Sequence, residues 1–129
     1  MSKYKIYSVF FLFLLFIGCK KEGTGGKAQI SGFVVYNGNR VPGAVIYIKY
    51  GATTSPGSNP AIYDSQQTSD SQGNFSFGSL TTGNYYLYAI GHYTIPNQNL
   101  GPINVSGGTA ANIPHTKSTV NYDIAATHQ

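Results

Sequence analysis

The sequence predicts an all-β fold, a seven-stranded antiparallel Greek-key β-sandwich that follows a cleaved export signal. Three observations predict it. From Ala28 onward, short runs rich in Val, Ile, Tyr, Phe and Thr alternate apolar with polar residues. Gly, Asn and Pro interrupt these runs every ten residues or so, the spacing of turns in a sandwich. No stretch after the N-terminus keeps a helical period. A chain of 129 residues has room for one such domain.

The N-terminus has the three parts of an export signal in order: Lys3 and Lys5, an apolar run from Ile6 to Ile17 interrupted by Ser8, then Gly18 and Cys19. A run of about 12 residues covers roughly 18 Å as a helix, short of the ~30 Å of bilayer hydrocarbon, so cleavage is favoured over a permanent span. Between Val9 and Cys19 only Gly18 is small, which puts the cut between Gly18 and Cys19 and makes residues 1–18 the signal. The segment resembles the bacterial lipobox, in which the cysteine after the cut carries a diacylglycerol. Phe16 and Ile17 depart from its usual Leu and small residue. The resemblance implies acyl lipid on Cys19 as the one covalent cofactor and the membrane as the first partner. Cys19 is the single cysteine, so no internal disulfide competes for it. At about 0.8 kcal/mol per buried CH₂, two or three chains give stable attachment. Lys20 follows the cysteine where an acidic residue is associated with inner-membrane retention, which favours the outer membrane, with its periplasmic or surface face open.

Residues 19–27, the lipidated Cys19 followed by KKEGTGGK, are Gly-rich and charged and read as a flexible tether, with the domain beginning at residue 28. The net charge of +4 belongs to the signal and tether. Beyond them, Arg40, Lys49 and Lys117 balance Asp64, Asp70 and Asp123, so the alkaline isoelectric point gives no argument for nucleic acid.

Strands are expected near 28–36, 44–50, 61–69, 74–78, 84–91, 101–106 and 118–126. In the second, Ala44, Ile46 and Ile48 share the face expected to enter the core. In the fifth, Tyr85, Leu87 and Ala89 form one set and Tyr86, Tyr88 and Ile90 the other. Val120, Tyr122 and Ile124 alternate in the last. Ile30 and Val34 oppose Phe33 and Val35 in the first, leaving its inner side unassigned. Two turns stand out: Asn37-Gly38-Asn39, and Asp70-Ser71-Gln72-Gly73-Asn74, where Asp70 can accept backbone N–H bonds and Gly73 can take positive φ. Asp70 to Asn74 lacks the alternate acidic ligands of a calcium loop.

Read in order, ISGFVVYNGNRVPGAVIYIKY and TSDSQGNFSFGSLTTGNYYLYAIG resemble the carboxypeptidase regulatory-like domain. The matching positions are Gly32, Pro42-Gly43-Ala44, Asp70 with Gly73-Asn74-Phe75, and Leu80, Gly83 and Tyr85. The resemblance covers roughly residues 30–91 and implies a prealbumin-like (transthyretin-like) sandwich of immunoglobulin-like architecture in a bacterial envelope protein. The loop GATTSPGSNPAI and the stretch from Pro96 to Thr116 depart from it. Such long loops on a rigid sandwich often carry recognition.

Catalytic and metal sites are not expected. The single Glu is Glu22 in the tether, and His92, His115 and His128 have no paired ligand spacing. Lys49 and Asp123 are the types of lysine and promoting acid that a Lys-to-Asn isopeptide bond uses, but Lys49 alternates outward and reads as a solvated lysine. Nine of the 11 tyrosines follow Cys19 and there is no Trp. Tyr47, Tyr86 and Tyr88 should face outward by alternation, and Tyr50, Tyr63 and Tyr93 beside loops. Tyrosine suits both protein interfaces and sugar rings. The surface expected to meet a ligand or partner is Tyr47, Tyr86, Tyr88 and Tyr93. These readings together predict a non-catalytic interaction or accessory module of the envelope, whose partner is an envelope protein or a glycan.

Overall fold

The computed structural model describes residues 21–129. Gly18 and Cys19, with the expected signal and its cleavage site, lie outside the described residues. Among the described residues no helix is long and apolar enough to cross a membrane. The fold is all-β, as expected: β1 (Thr24–Tyr36), β2 (Asn39–Arg40), β3 (Val45–Tyr50), β4 (Ser65–Thr68), β5 (Asn74–Leu80), β6 (Gly83–Tyr93), β7 (Ile103–Ile113), β8 (Thr119–Asn121) and β9 (Ile124–His128), with a 3₁₀ turn at Pro60–Ile62.

One layer runs β4-β3-β6-β7, antiparallel throughout, with β3 and β6 in register from Val45↔Ile90 to Tyr50↔Tyr85. The other layer is built on β1, which pairs antiparallel with β2 and β5 and parallel with β8 and β9. Strand β9 also pairs with β7 and joins the layers, so the sheet curls into a half-barrel. The alternation read in the sequence builds the core: Ile46 pairs with Ala89 and Ile48 with Leu87 across the ladder, and these four, with Ala44 and Tyr85, are all at most 1% exposed. Ile30 and Val34 are the inner side of β1, whereas Phe33 lies outside under the Arg40 guanidinium, 3.5 Å from its ring centroid.

The strand boundaries differ from expectation in four places, each with a physical reason. The expected tether overlaps the fold: β1 starts at Thr24, the Gly23 N–H donates to the Tyr85 hydroxyl (3.0 Å), and the Thr81 hydroxyl donates to the Lys21 carbonyl (3.1 Å). The Tyr85 hydroxyl in turn donates to the Thr81 carbonyl (2.7 Å), a tyrosine-corner arrangement that fastens the chain entry to the start of β6. In the third expected strand, Asn59 and Pro60 set the 3₁₀ turn, and the strand proper is only Ser65–Thr68. In the sixth, β7 continues through Gly107-Gly108-Thr109-Ala110-Ala111-Asn112-Ile113, weak strand formers held by pairing with β6 along all eleven residues.

The last expected strand breaks at Tyr122-Asp123 into two pieces parallel to β1, a departure from the all-antiparallel expectation. At the break, the Tyr122 N–H bonds the Ser31 carbonyl (2.8 Å) and the Asp123 carboxylate accepts from the Phe33 N–H (3.1 Å), standing in for a backbone carbonyl. Gly32 permits the approach, because a Cβ there would collide with the Tyr122 carbonyl.

Both expected turns form. Asn37 (φ 47°) and Gly38 (φ 79°) close the β1–β2 hairpin in the left-handed conformation that such turns require. Asp70 accepts from the N–H groups of Gln72 (2.8 Å) and Asn74 (2.9 Å) around Gly73 (φ 77°). Gly83 opens β6 at φ 133°, with Glu22 packed against it. Arg40 spans from the first turn to the second, donating to the Gln72 carbonyl and the Asn74 side chain.

Gly73→Val should lower stability by more than the ~1 kcal/mol typical of a Gly swap at a compatible site, since a β-branched residue opposes positive φ and its Cβ would crowd Val41 N and the Val34 carbonyl. Unchanged thermal melting would contradict the turn. The backbone N–H groups of Asn74 and then Gln72 hold the Asp70 carboxyl below its ordinary value of 3.8. Its contribution is therefore complete above the unfolded pKa and is lost as pH falls through the folded one. Asp70→Asn should flatten the acid limb of the melting profile below about pH 4.

Candidate functional site

The outer face of β3, β6 and β7 follows from the inner one. With Ile46, Ile48, Leu87 and Ala89 buried, the two-residue period turns Tyr47, Tyr86 and Tyr88 outward. The register then sets Tyr47 directly opposite Tyr88 and Lys49 opposite Tyr86. The Tyr47 and Tyr88 rings lie 6.5 Å apart and 28° from parallel.

A third ring comes from the long β3–β4 loop. Asp64 anchors the end of that loop, its N–H donating to the Ile48 carbonyl (2.9 Å) and its carboxylate accepting from the Tyr50 N–H (2.7 Å). Asn59 caps the 3₁₀ turn through the Ala61 N–H, and the Tyr63 hydroxyl donates back to the Gly57 carbonyl (2.7 Å). Tyr63 is thereby laid over the sheet, 5.8 Å from Tyr88 at 16° and 5.8 Å from Tyr47 at 44°. All three rings are half-buried, each partly covering the next.

On the β7 side the surface drops. Tyr88 pairs with Gly108 and Tyr86 with Ala110, so small, exposed residues border the ring cluster. Tyr86 leans across Gly108: a Cβ there would strike the Tyr86 hydroxyl and the Leu87 carbonyl. The rim is electrically balanced, with Lys49 Nζ 3.6 Å from Asp64 Oδ1. This pair is about one-third exposed and contributes little stability. The site is therefore a ridge of aromatic rings beside a low shelf, edged by hydroxyls and a neutralised ion pair. It offers stacking surface and short-range hydrogen bonding, with no concentrated charge.

Burial pushes the Tyr63 phenol above its ordinary value, Tyr86 adds to the rise, a Ser55 hydrogen bond works against it and Tyr88 adds a smaller push. Tyr50 is also raised, by burial first, then by Asp64 and Tyr85.

Of the expected surface, Tyr47, Tyr86 and Tyr88 share this face and Tyr93 does not. Tyr93 falls an even number of residues from Tyr85, belongs to the inward set, and packs on Tyr36 at 5.2 Å against the core. Tyr50, also expected outside, meets Tyr85 edge-on at 5.9 Å. Tyr63, expected to face outward beside its loop though not among the four, joins the cluster instead. Its loop was legible as unusually long, but periodicity carries no information on where a loop folds. Lys49 and Asp123 are engaged separately, with Asp64 and with the Phe33 N–H. Among the described residues no three His, Cys, Asp or Glu side chains gather as metal ligands would.

A phenol with a raised pKa favours the fold while neutral, so the Tyr63 contribution is present below pH ~10 and is lost as pH rises through the folded value. Tyr63→Phe should reduce the alkaline loss of stability seen in melts above about pH 10. An unaltered alkaline limb would contradict the packing described for this ring.

No family model matches the chain, and no curated protein matches it. Among solved structures it is similar to a protein of Pseudomonas aeruginosa described as a candidate carbohydrate-binding protein, with a TM-score of 0.54 and 11% sequence identity over 85% of this chain and 93% of the other. At that identity the likeness is one of fold.

Proposed function

We propose that this chain is a lipid-anchored, non-catalytic binding module of the bacterial envelope, held in the outer membrane through acyl chains on Cys19, and that its ligand is a glycan taken on the Tyr47–Tyr63–Tyr88 face. The observation that carries the reading is that three tyrosine rings from two strands and one loop meet on a solvent-facing sheet surface with their neighbours' charges neutralised. Sugar rings present C–H faces that pack on aromatic rings and hydroxyls that bond to polar rims, and tyrosine supplies both. The fold shared with a candidate carbohydrate-binding protein supports the same reading.

A binding rather than catalytic role is supported by the fate of the acidic side chains. The chain has four Asp and Glu residues. Glu22 accepts weakly from the Asn84 N–H, Asp64 pairs with Lys49, Asp70 caps its turn and Asp123 completes the β1 ladder. Each serves the fold, which leaves no pair of carboxylates for acid–base work. We further propose that the domain is of the carboxypeptidase regulatory-like kind, a reading supported by the resemblance over residues 30–91 and by the structural roles of Gly32, Asp70, Gly73 and Tyr85 described above.

In titrations of the mature chain carrying Cys19→Ser with envelope and plant polysaccharides, Tyr88→Ala and Tyr47→Ala should each weaken binding by roughly three- to tenfold, measured well below the lowered melting temperature of each variant so that the loss is read on folded protein. Equal affinity in the variants, or no binding across the panel, would overturn the glycan reading. Mass spectrometry of protein isolated from its host membranes should find an N-terminus at Cys19 carrying acyl mass. An intact Met1 or a free thiol would overturn the anchor.

A further inference from the structure

A second site lies at the end of the domain where the chain enters. The β1 ladder is irregular there: Thr24 and Ala28 both pair with Leu80, so Gly25-Gly26-Lys27 bulge out between them. The bulge, the β5–β6 corner at Thr81-Thr82 and the β7–β8 turn at Thr116-Lys117 enclose an open cleft of about 300 Å³. The Thr81 hydroxyl is already committed to the Lys21 carbonyl and the Tyr85 hydroxyl. The donors left for a ligand are Lys27, Lys117, Thr82 and Thr116.

The two ammonium groups meet no Asp or Glu. All four of those residues are engaged elsewhere, and Glu22, the one nearest in sequence, points to the Asn84 N–H and packs against Gly83. Lys49–Asp64 is the single ion pair among the described residues. Two lysines flanking a hydroxyl-lined cleft, with no carboxylate beside them, call for an anion with oxygen acceptors.

The position of the cleft selects which anion. Gly25 is six residues from Cys19, so even fully extended chain holds it within roughly 20 Å of an acyl anchor. We propose that this cleft receives the phosphoryl headgroup of an anionic lipid in the leaflet that carries the anchor, with Lys27 and Lys117 on the phosphate oxygens and Thr82 and Thr116 on the glycerol side. The inference rests on the anchor of the proposed function and is independent of the glycan face. Bound this way, the domain stands with its chain-entry end on the membrane, rather than swinging from its linker.

The test uses the mature chain with Cys19→Ser and vesicles of phosphatidylcholine with or without phosphatidylglycerol. The protein should sediment with the anionic vesicles and not with the neutral ones, and added salt should release it. Lys27→Gln with Lys117→Gln should weaken sedimentation by roughly thirtyfold, at about fivefold per lysine. Lys20→Gln with Lys21→Gln should leave the amide shifts of Thr82 and Thr116 on short-chain phosphatidylglycerol in place. Vesicle binding unaffected by Lys27→Gln with Lys117→Gln, or lost equally on Lys117→Arg, which keeps the charge, would overturn the proposal. So would inorganic phosphate or an acidic polysaccharide producing the Thr82 and Thr116 shifts as strongly as the lipid, since the source would then lie outside the bilayer. Binding to anionic vesicles by a chain whose host-isolated form lacks acyl mass would separate failure of the anchor from failure of the cleft.

Discussion

The alternation of strand β6 is the constraint on which the rest of the structure depends. It runs through the middle of its layer, paired on both sides, and its odd residues carry Tyr85, Leu87 and Ala89 into the core. Because the side-chain period is two, a slip of one residue would bury Tyr86 and Tyr88 and expose Tyr85. Such a slip is opposed from three directions. Tyr85 is held by the Thr81 carbonyl and the Gly23 N–H, Leu87 lies between Ile48 and Thr109 in register, and Gly91 lies close against Val41 and Ala44. The outward ring pair is the consequence of a buried one.

The same strand ties the two ends of the molecule together. Its first residues hold the incoming chain through Tyr85, so the polypeptide leaves the domain at a fixed place beside Thr81. Its later residues carry the ring cluster. In the lipoprotein reading, one strand relates the membrane side of the domain to its ligand face, and a short linker has little freedom left to change that relation.

The legible part of this architecture was the part governed by short-range rules. Ala44, Ile46, Ile48, Tyr85, Leu87 and Ala89 were assignable to the core because alternation is a local property. Asp70 and Gly73 were readable because an Asx-type turn uses neighbours in sequence. Tyr93 was misplaced by giving a nearby loop more weight than its parity with Tyr85. The remainder depended on tertiary contacts. Gly107 to Ile113 is strand only because β6 lies beside it, and a Cβ at Gly107 would meet the Ala125 carbonyl of β9. The break at Tyr122-Asp123 exists because a side-chain carboxylate replaces a ladder acceptor. The position of Tyr63 depends on a loop closed by Asp64 and Gly57, and Thr24 to Lys27 joined the fold through Leu80 and Tyr85 despite a linker's composition. The half of the candidate site on strands was therefore visible in advance, while for the loop half the outward position of Tyr63 was visible and its packing over Tyr47 and Tyr88 was not.

A ring cluster on a rigid sheet gains from being built before its ligand arrives, since side chains already packed lose little freedom on binding. Tyr63 against Tyr88 is such a prepacked pair, and the small residues of β7 leave the cluster accessible from one side. The most direct measurement is an amide chemical-shift map of the isotopically labelled mature chain on addition of an oligosaccharide from a bound polysaccharide. The account predicts the largest changes at Tyr47, Tyr63, Tyr88 and Gly108. Changes centred on Tyr36 and Tyr93, or confined to the cleft between Lys27 and Lys117, would contradict it.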